Sequence, residues 1–192
     1  VLPLTKEFVK AIVKIAEEND LLVICDEVQT GNGRSGSLYA YMNYGITPDI
    51  VSTAKGLAGG LPIGATLMGE KTEKTLGASD HGSTFGGNPI SCAAAVNVIS
   101  RIDGELLEDV RRKSQYIIDE LSCVNGVKSV CGMGLMLGIE TEKDASAVIK
   151  ECMDKGVLVI KAKNKVRLLP ALNIPDDELK TAINVLKKAC EV

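Results

Sequence analysis

At 192 residues, with 45% hydrophobic and 24% charged positions, the chain is long enough for one domain or two small ones and has the composition of a water-soluble globular protein. Its net charge of −3 and the lack of any basic run argue against nucleic acid or an anionic membrane as partner, and no apolar run reaches the roughly 20 residues of a membrane span. The six cysteines are scattered without a C-x-x-C pair, which argues against a metal site or a disulfide framework and points to a reducing cytoplasm.

The chain opens on Val1 with no signal-peptide pattern and is expected to be cut from something longer. Phe8, Ile12, Val13, Ile15 and Ala16 recur at helical spacing between Thr5 and Asp20, with Thr5 as N-cap. Leu21-Leu22-Val23-Ile24-Cys25 is apolar at every position and ends in Asp26-Glu27; after a helix, such a run predicts a parallel strand covered on both faces. Pro48–Ala54 repeats the theme and closes on Lys55-Gly56, and Gly64–Gly69 predicts a third strand. This first part reads as α/β with crossover connections. From Asn88 to about Leu121 the spacing predicts one long helix. Beyond it, Val127–Val130, Leu135–Glu140, Val157–Ile160 and Val166–Leu169 predict short strands. Asp144–Lys155 and Pro175–Glu191 predict helices, the second with proline at its first turn and Asp176-Asp177-Glu178 near the positive end of its dipole. A boundary inside the long helix, near Ile99–Leu106, divides residues 1–100 from residues 101–192.

Four clusters carry chemistry. In doubly wound sheets ligands bind beyond the carboxyl ends of the strands, so a buried Asp26 there would face a site. Beside a pyridine ring, such a carboxylate keeps the ring nitrogen protonated. The same pattern fits the Walker-B strand of a P-loop ATPase, or a residue that merely caps the next turn. Lys55 closes its strand among small residues and a glycine-rich tail; desolvated, it would hold the neutral amine that attacks a carbonyl. A solvated lysine before a loop is the plain alternative. Asp26 and Lys55 together end two strands joined by a crossover, which brings both to one edge of the sheet. His81–Pro89 is a glycine-rich turn before a helix, with Ser83 and Thr84 hydroxyls suited to phosphate, or else a simple connection capped by Asn88. His81, the only histidine, is read as fixing that loop, with general acid/base work as the alternative. Arg167, inside the apolar run Val166–Pro170, is costly to bury unless it meets an anion and suits a carboxylate, with a structural ion pair as the alternative.

Leu22–Gly36, reading L-V-I-C-D-E-V-Q-T-G-N-G-R-S-G, closely resembles the D-E-V-Q-T-G-x-G-R-S/T-G signature of class III pyridoxal-phosphate-dependent aminotransferases. Pro48–Gly56 and Gly60–Ala65 resemble the lysine segment of that family, Gly132–Glu140 and Arg167–Pro170 extend the likeness, and His81–Pro89 is especially similar to its acetylornithine branch. A P-loop reading finds no G-x-x-x-x-G-K-S/T and leaves Lys55 and Ser83-Thr84 without a role.

The resemblance implies an α/β architecture: part of a fold type I large domain followed by a small C-terminal α+β domain, in a homodimer with shared active sites. It implies pyridoxal 5′-phosphate carried on Lys55, which also shuttles a proton, with Asp26 at the ring nitrogen. Glu27 stands with the cofactor-binding residues, Val28 lies against the ring face and Gln29 near the ring hydroxyl. Thr84 reaches the phosphate of the neighbouring subunit's cofactor, Ser83 contacts substrate and Arg167 clamps an α-carboxylate. The reaction implied is amino transfer from N-acetylornithine to 2-oxoglutarate, small amino and keto acids, in arginine biosynthesis. Ornithine, succinylornithine and 4-aminobutyrate are the alternative donors, and a non-catalytic dimerisation piece is the other reading. The family's N-terminal part, with its Gly-Thr phosphate loop and stacking aromatic, is not among these residues. The chain is therefore expected to be a C-terminal portion with little activity alone. Lys163 stands where the family commonly has glycine.

Overall fold

The computed structural model describes all of residues 1–192, which divide into two compact units, Leu4–Gly104 and Val1–Pro3 with Glu105–Val192. No helix is long and apolar enough to cross a membrane.

The first unit opens with helix α1 (Lys6–Glu18), whose Thr5 hydroxyl accepts the Phe8 N–H at 3.2 Å and so satisfies one of the helix's unpaired first-turn donors. Val9 and Ala16 are buried, but Phe8, Ile12 and Ile15 remain 52%, 41% and 55% exposed, so only one side of this helix is covered. Strands β1 (Ile24–Asp26) and β2 (Ile50–Thr53) pair in parallel, and β3 (Ala65–Met68) pairs with β2 in the opposite sense, giving the order β1-β2-β3. That reversal corrects the expectation of crossovers throughout: Ala54–Gly64 is shorter than the dozen or more residues a parallel crossover needs. It turns back through the short 3-10 helix Lys55–Ala58.

The run Leu21–Cys25 also departs from expectation. Only its end joins the sheet, and Leu21, Leu22 and Ile24 are 52%, 49% and 62% exposed. An unbroken apolar run suits a strand covered on both faces, but β1 has β2 as its only neighbour in this sheet and only Cys25 of its three residues is partly covered. Helix α2 (Pro89–Ile99) begins at Asn88, whose side chain accepts from Ile90 N and Ser91 N at 3.0 and 3.3 Å. It packs Ala95 on Leu57 and Ala58, directly behind Lys55.

The single long helix expected from Asn88 to Leu121 is two helices, α2 and α3 (Gly104–Ser122). Asp103-Gly104, poor helix formers, interrupt the apolar spacing. In the second unit, strands β4 (Val127–Met133), β5 (Met136–Thr141), β6 (Ile160–Ala162) and β7 (Lys165–Leu168) form an antiparallel sheet of order β4-β5-β7-β6. The strand expected at Val157–Ile160 starts only at Ile160 and turns tightly into β7 through Lys163-Asn164. Helices α4 (Ala145–Asp154) and α5 (Asp176–Cys190) complete the unit. Ile117, Leu121, Leu137, Ile139, Ile183 and Leu186 are at most 2% exposed in its single core. Side chains buried this completely contribute roughly 1.5–3 kcal/mol each. Cys152 and Cys190 lie in the same core as free thiols, Cys190 pushed up to about 11 chiefly by burial. Gly132 closes against the Met136 carbonyl at φ +143°, where a Cβ has no room.

Candidate active site

Parallel pairing of β1 and β2 sets their carboxyl ends side by side, with Asp26 in register with Ser52 and Lys55 just beyond. Asp26 Oδ1 accepts from Val28 N–H at 3.0 Å and from the Ser52 hydroxyl at 3.3 Å, while no protein group occupies its other oxygen. Lys55 opens the short helix behind β2 with φ +49°, a left-handed conformation that costs a non-glycine residue of order 1 kcal/mol. Its amine makes no hydrogen bond or ion pair. The two candidate catalytic groups therefore share one sheet edge, as the strand pattern implies.

Their burial differs from expectation. Asp26 and Lys55 are exposed in this chain, and the buried carboxylate at the strand end is Glu27, at 2% exposure. Consecutive strand residues face opposite sides, so when Asp26 turns outward Glu27 turns in. Glu27 Oε1 accepts from Tyr41 N–H at 2.8 Å and Oε2 from the Thr30 hydroxyl at 2.5 Å, which spends this carboxylate on holding the loop after β1. Gly31 fits inside that loop because a Cβ would come 2.7 Å from the Glu27 carbonyl oxygen. Burial, and then the charge of Glu27, raise the Cys25 thiol above its ordinary value, so Cys25 stays protonated beside the site. Val28 is half-buried and Gln29 exposed.

Ser83 and Thr84 lie in an exposed loop turned by the Gly86 N–H to Ser83 carbonyl bond at 3.1 Å; their hydroxyls have no partner within the chain, and nothing joins them to Asp26 or Lys55. Phe85, next to them, is 84% exposed. His81 is exposed and makes no contact that would fix this loop. In the second unit, Arg167 sits in β7 opposite Gly138 and Ile160. It makes no ion pair among these residues, and its Nε is buried without a partner. It lines a largely apolar cavity of about 610 Å³ shared with Leu158, Ile174, Asp177 and Glu178.

Two contributors carry no sequence signal of their own. Ser52 is found only through its register with Asp26. Asn32, 8% exposed at φ +55°, donates from Nδ2 to Thr53 Oγ1 at 3.2 Å and to the Ala54 carbonyl at 3.1 Å. The setting Gly31-Asn32-Gly33 was the available hint, because asparagine tolerates left-handed backbone better than most residues.

An α/β unit that presents a free lysine amine and a half-occupied carboxylate on adjacent parallel strand ends has the make-up of a cofactor-dependent group-transfer protein. The chain belongs to the class-III aminotransferases, whose family pattern it matches over residues 1–190. It is 45% identical over 185 residues to the acetylornithine aminotransferase of Haemophilus ducreyi, covering 95% of this chain and 47% of that protein. It is 39% identical over 201 residues to the succinylornithine transaminase of Citrobacter koseri, covering 100% of this chain and 50% of that protein. Among solved structures, the N-acetylornithine aminotransferase of Stenotrophomonas maltophilia K279a superposes with a TM-score of 0.87 at 33% identity, over 97% of this chain and 51% of that one. The mixed α/β structure is thus part of a fold type I domain arrangement. The chain spans about half the length of the curated relatives it matches. Class III aminotransferases depend on pyridoxal phosphate. The donor set fits that group, since the unpartnered Lys55 amine matches its aldehyde and the open oxygen of Asp26 matches its ring nitrogen.

Proposed function

We propose that the protein containing these residues transfers the terminal amino group of N-acetylornithine to 2-oxoglutarate, giving N-acetylglutamate semialdehyde and glutamate, a step of arginine biosynthesis. The observation that carries this reading is the β1–β2 register, which sets Asp26 beside Ser52 of the strand that leads into Lys55. The preference for N-acetylornithine is supported by the His81–Pro89 loop and by relatives such as that of H. ducreyi. The C. koseri relative makes succinylornithine the nearest alternative donor.

When bound, pyridoxal phosphate supplies an aldehyde that takes up amino groups and a ring that accepts electron density. Lys55 Nζ would hold it, and once released would carry the proton to and from the substrate Cα. Asp26 would keep a proton on the ring nitrogen. Val28 would bear on the ring face and Gln29 on the ring hydroxyl, while Glu27 fixes the loop that carries them. Arg167 takes an α-carboxylate, for which its unpaired, partly buried guanidinium is suited. Ser83 and Thr84, free of partners within the chain, act toward substrate and toward the phosphate held by a second subunit. On this reading the protein is a homodimer, with Phe85 and Ile90, 84% and 70% exposed here, in its contact surface. Six free cysteines suit the cytoplasm. The 192 residues alone would turn over little.

Borohydride reduction of the full-length protein with pyridoxal phosphate, followed by peptide mapping, should place the adduct on Lys55. Comparison of kcat/KM for N-acetylornithine, N-succinylornithine, ornithine and 4-aminobutyrate should rank the first highest. An adduct on another lysine, or a preference for 4-aminobutyrate, would overturn the assignment.

A further inference from the structure

β2 is read from both sides. Ser52 turns toward Asp26, and Thr53, 2% exposed, turns toward Asn32. The Asn32 amide uses both of its hydrogens on this strand end, at Thr53 Oγ1 and at the Ala54 carbonyl. The same carbonyl also accepts Leu57 N–H at 3.0 Å, which closes the turn beginning at Lys55. Leu57 and Ala58 are pinned by Ala95 of α2. Lys55 therefore stands at a pivot, with a packed turn behind it and a side-chain amide bonded across the peptide just before it. Its own left-handed φ of +49° has to be held against relaxation.

The orientation of the amide is settled by the network. Exchanging its nitrogen and oxygen would set two carbonyl-type oxygens against each other at Ala54. As placed, Asn32 Oδ1 is buried without any partner. An unmet buried acceptor works against folding, so the arrangement favours the Ala54 peptide at the expense of the amide's own oxygen.

We propose that Asn32 is a positioning residue for Lys55: its amide clamps the Thr53–Ala54 backbone and so fixes the direction in which the amine leaves the sheet edge. The proposal rests on the reading of Lys55 as the cofactor-bearing lysine. Asn32 itself touches no reacting atom.

The test uses the full-length apoprotein and its Asn32→Gly variant, since glycine keeps the +55° backbone free of strain while deleting the clamp. Covalent capture of pyridoxal phosphate is trapped with borohydride over time and mapped by mass spectrometry, with exposed Lys6 and Lys71 as internal references. The expected result is a fall of about tenfold in the rate of capture at Lys55, with Lys6 and Lys71 unchanged, because misaligned reacting groups lose rate steeply. In turnover, kcat should fall more than KM rises. Asn32→Asp, which keeps the size but sets a carboxylate oxygen against the Ala54 carbonyl, serves if the glycine variant does not fold, and should slow Lys55 in the same selective way. Capture at Lys55 within twofold of wild type in the folded variant, even with a lowered Tm, overturns the proposal. Wild-type protein that traps cofactor on another lysine overturns the underlying reading of Lys55, and the clamp with it.

Discussion

Ser52 donates its hydroxyl to Asp26 Oδ1 at 3.3 Å, across the pairing that sets the two residues in register on adjacent parallel strands. The same oxygen accepts Val28 N–H, so one side of the carboxylate is anchored and the other is left for a ligand. In the full-length protein, Asp26→Ala should keep cofactor attached to Lys55 while lowering kcat by on the order of 10³-fold. Ser52→Ala should lower it only several-fold, since it removes one of two anchors, each contributing about 1 kcal/mol. Cofactor content by mass and turnover of N-acetylornithine check both. Near-normal turnover by Asp26→Ala would take this residue out of the site.

Lys163 begins the two-residue turn between β6 and β7 with φ +56°, while the partners Ala162 and Lys165 close the hairpin around it. A positive φ at the first central position of such a turn is the place for glycine. Lys163→Gly should stabilise the second unit by about 0.5–1 kcal/mol, the relief of backbone strain exceeding the entropy glycine adds to the unfolded chain. Thermal unfolding should show a higher Tm; a lower one would mean that the lysine side chain contributes more than its backbone costs.

The same turn shows what could be read from sequence. Caps were legible because they are local: Thr5 and Asn88 bind N–H groups two or three residues on. The ends of β1 and β2 were legible because an apolar run that stops at a charge marks a strand edge. The direction of β3 depends on what Ala54–Gly64 can span, and hydrophobic pattern says nothing about that. Which of Asp26 and Glu27 turns inward depends on strand phase, and with a run apolar at every position the alternation that reveals phase is missing. Asn32 reaches Ala54 across a gap in sequence that only the folded register closes.

Acid should weaken the contact between α3 and α5. Lys113, only 4% exposed, pairs with Asp109 at 2.6 Å, and Arg112 bridges Asp109 to Asp176, also at 2.6 Å. Asp109 is held below its ordinary value, first by the hydrogen bond from Lys113, and Asp176 is held down first by Arg112. The unfolded chain thus takes up these protons at higher pH than the folded one, near the usual carboxylate value of about 3.9. The stabilisation is complete above that value and is lost as pH falls through the lower folded values. Asp109→Asn should be less stable at pH 7 by about 2 kcal/mol, because the buried ammonium loses its partner while partial exposure of the carboxylate moderates the loss. The gap should shrink between pH 5 and pH 3. Urea unfolding followed by circular dichroism at several pH values tests this, and a gap that stays constant with pH would refute it.

Arg167 lies in the second unit, and its buried, unpartnered Nε is the basis for the proposed carboxylate preference. Arg167→Lys in the full-length protein should lower kcat/KM for N-acetylornithine by roughly 10²-fold, since lysine keeps the charge but loses the two-pronged geometry. An amino donor without an α-carboxylate should lose much less. Equal losses for both kinds of donor would indicate that Arg167 supports the fold rather than the substrate.

The last expectation concerns the 192 residues expressed by themselves, which should self-associate and show little cofactor-dependent activity. β1 has a neighbour on one side only, so its outer edge offers unpaired N–H and C=O groups to any strand that can meet them. Ile24 on that strand is 62% exposed, and in the same unit Phe8 and Ile15 leave the open side of α1 at 52% and 55%. Apolar surface of this kind is favoured by burial against another chain, at roughly 25 cal/mol for each Å² removed from water. Activity should be low for a separate reason: Lys55 and Asp26 are both exposed, so water screens the charge interactions that the reaction uses. Light scattering over a concentration series should show growing mass, and Phe8→Glu combined with Ile24→Lys should reduce it without altering the circular dichroism, because both side chains face solvent. A monodisperse monomer that transaminates would overturn both halves. Association undiminished by the double substitution would move the contact to another surface, with the exposed Phe85 and Ile90 next to be tested.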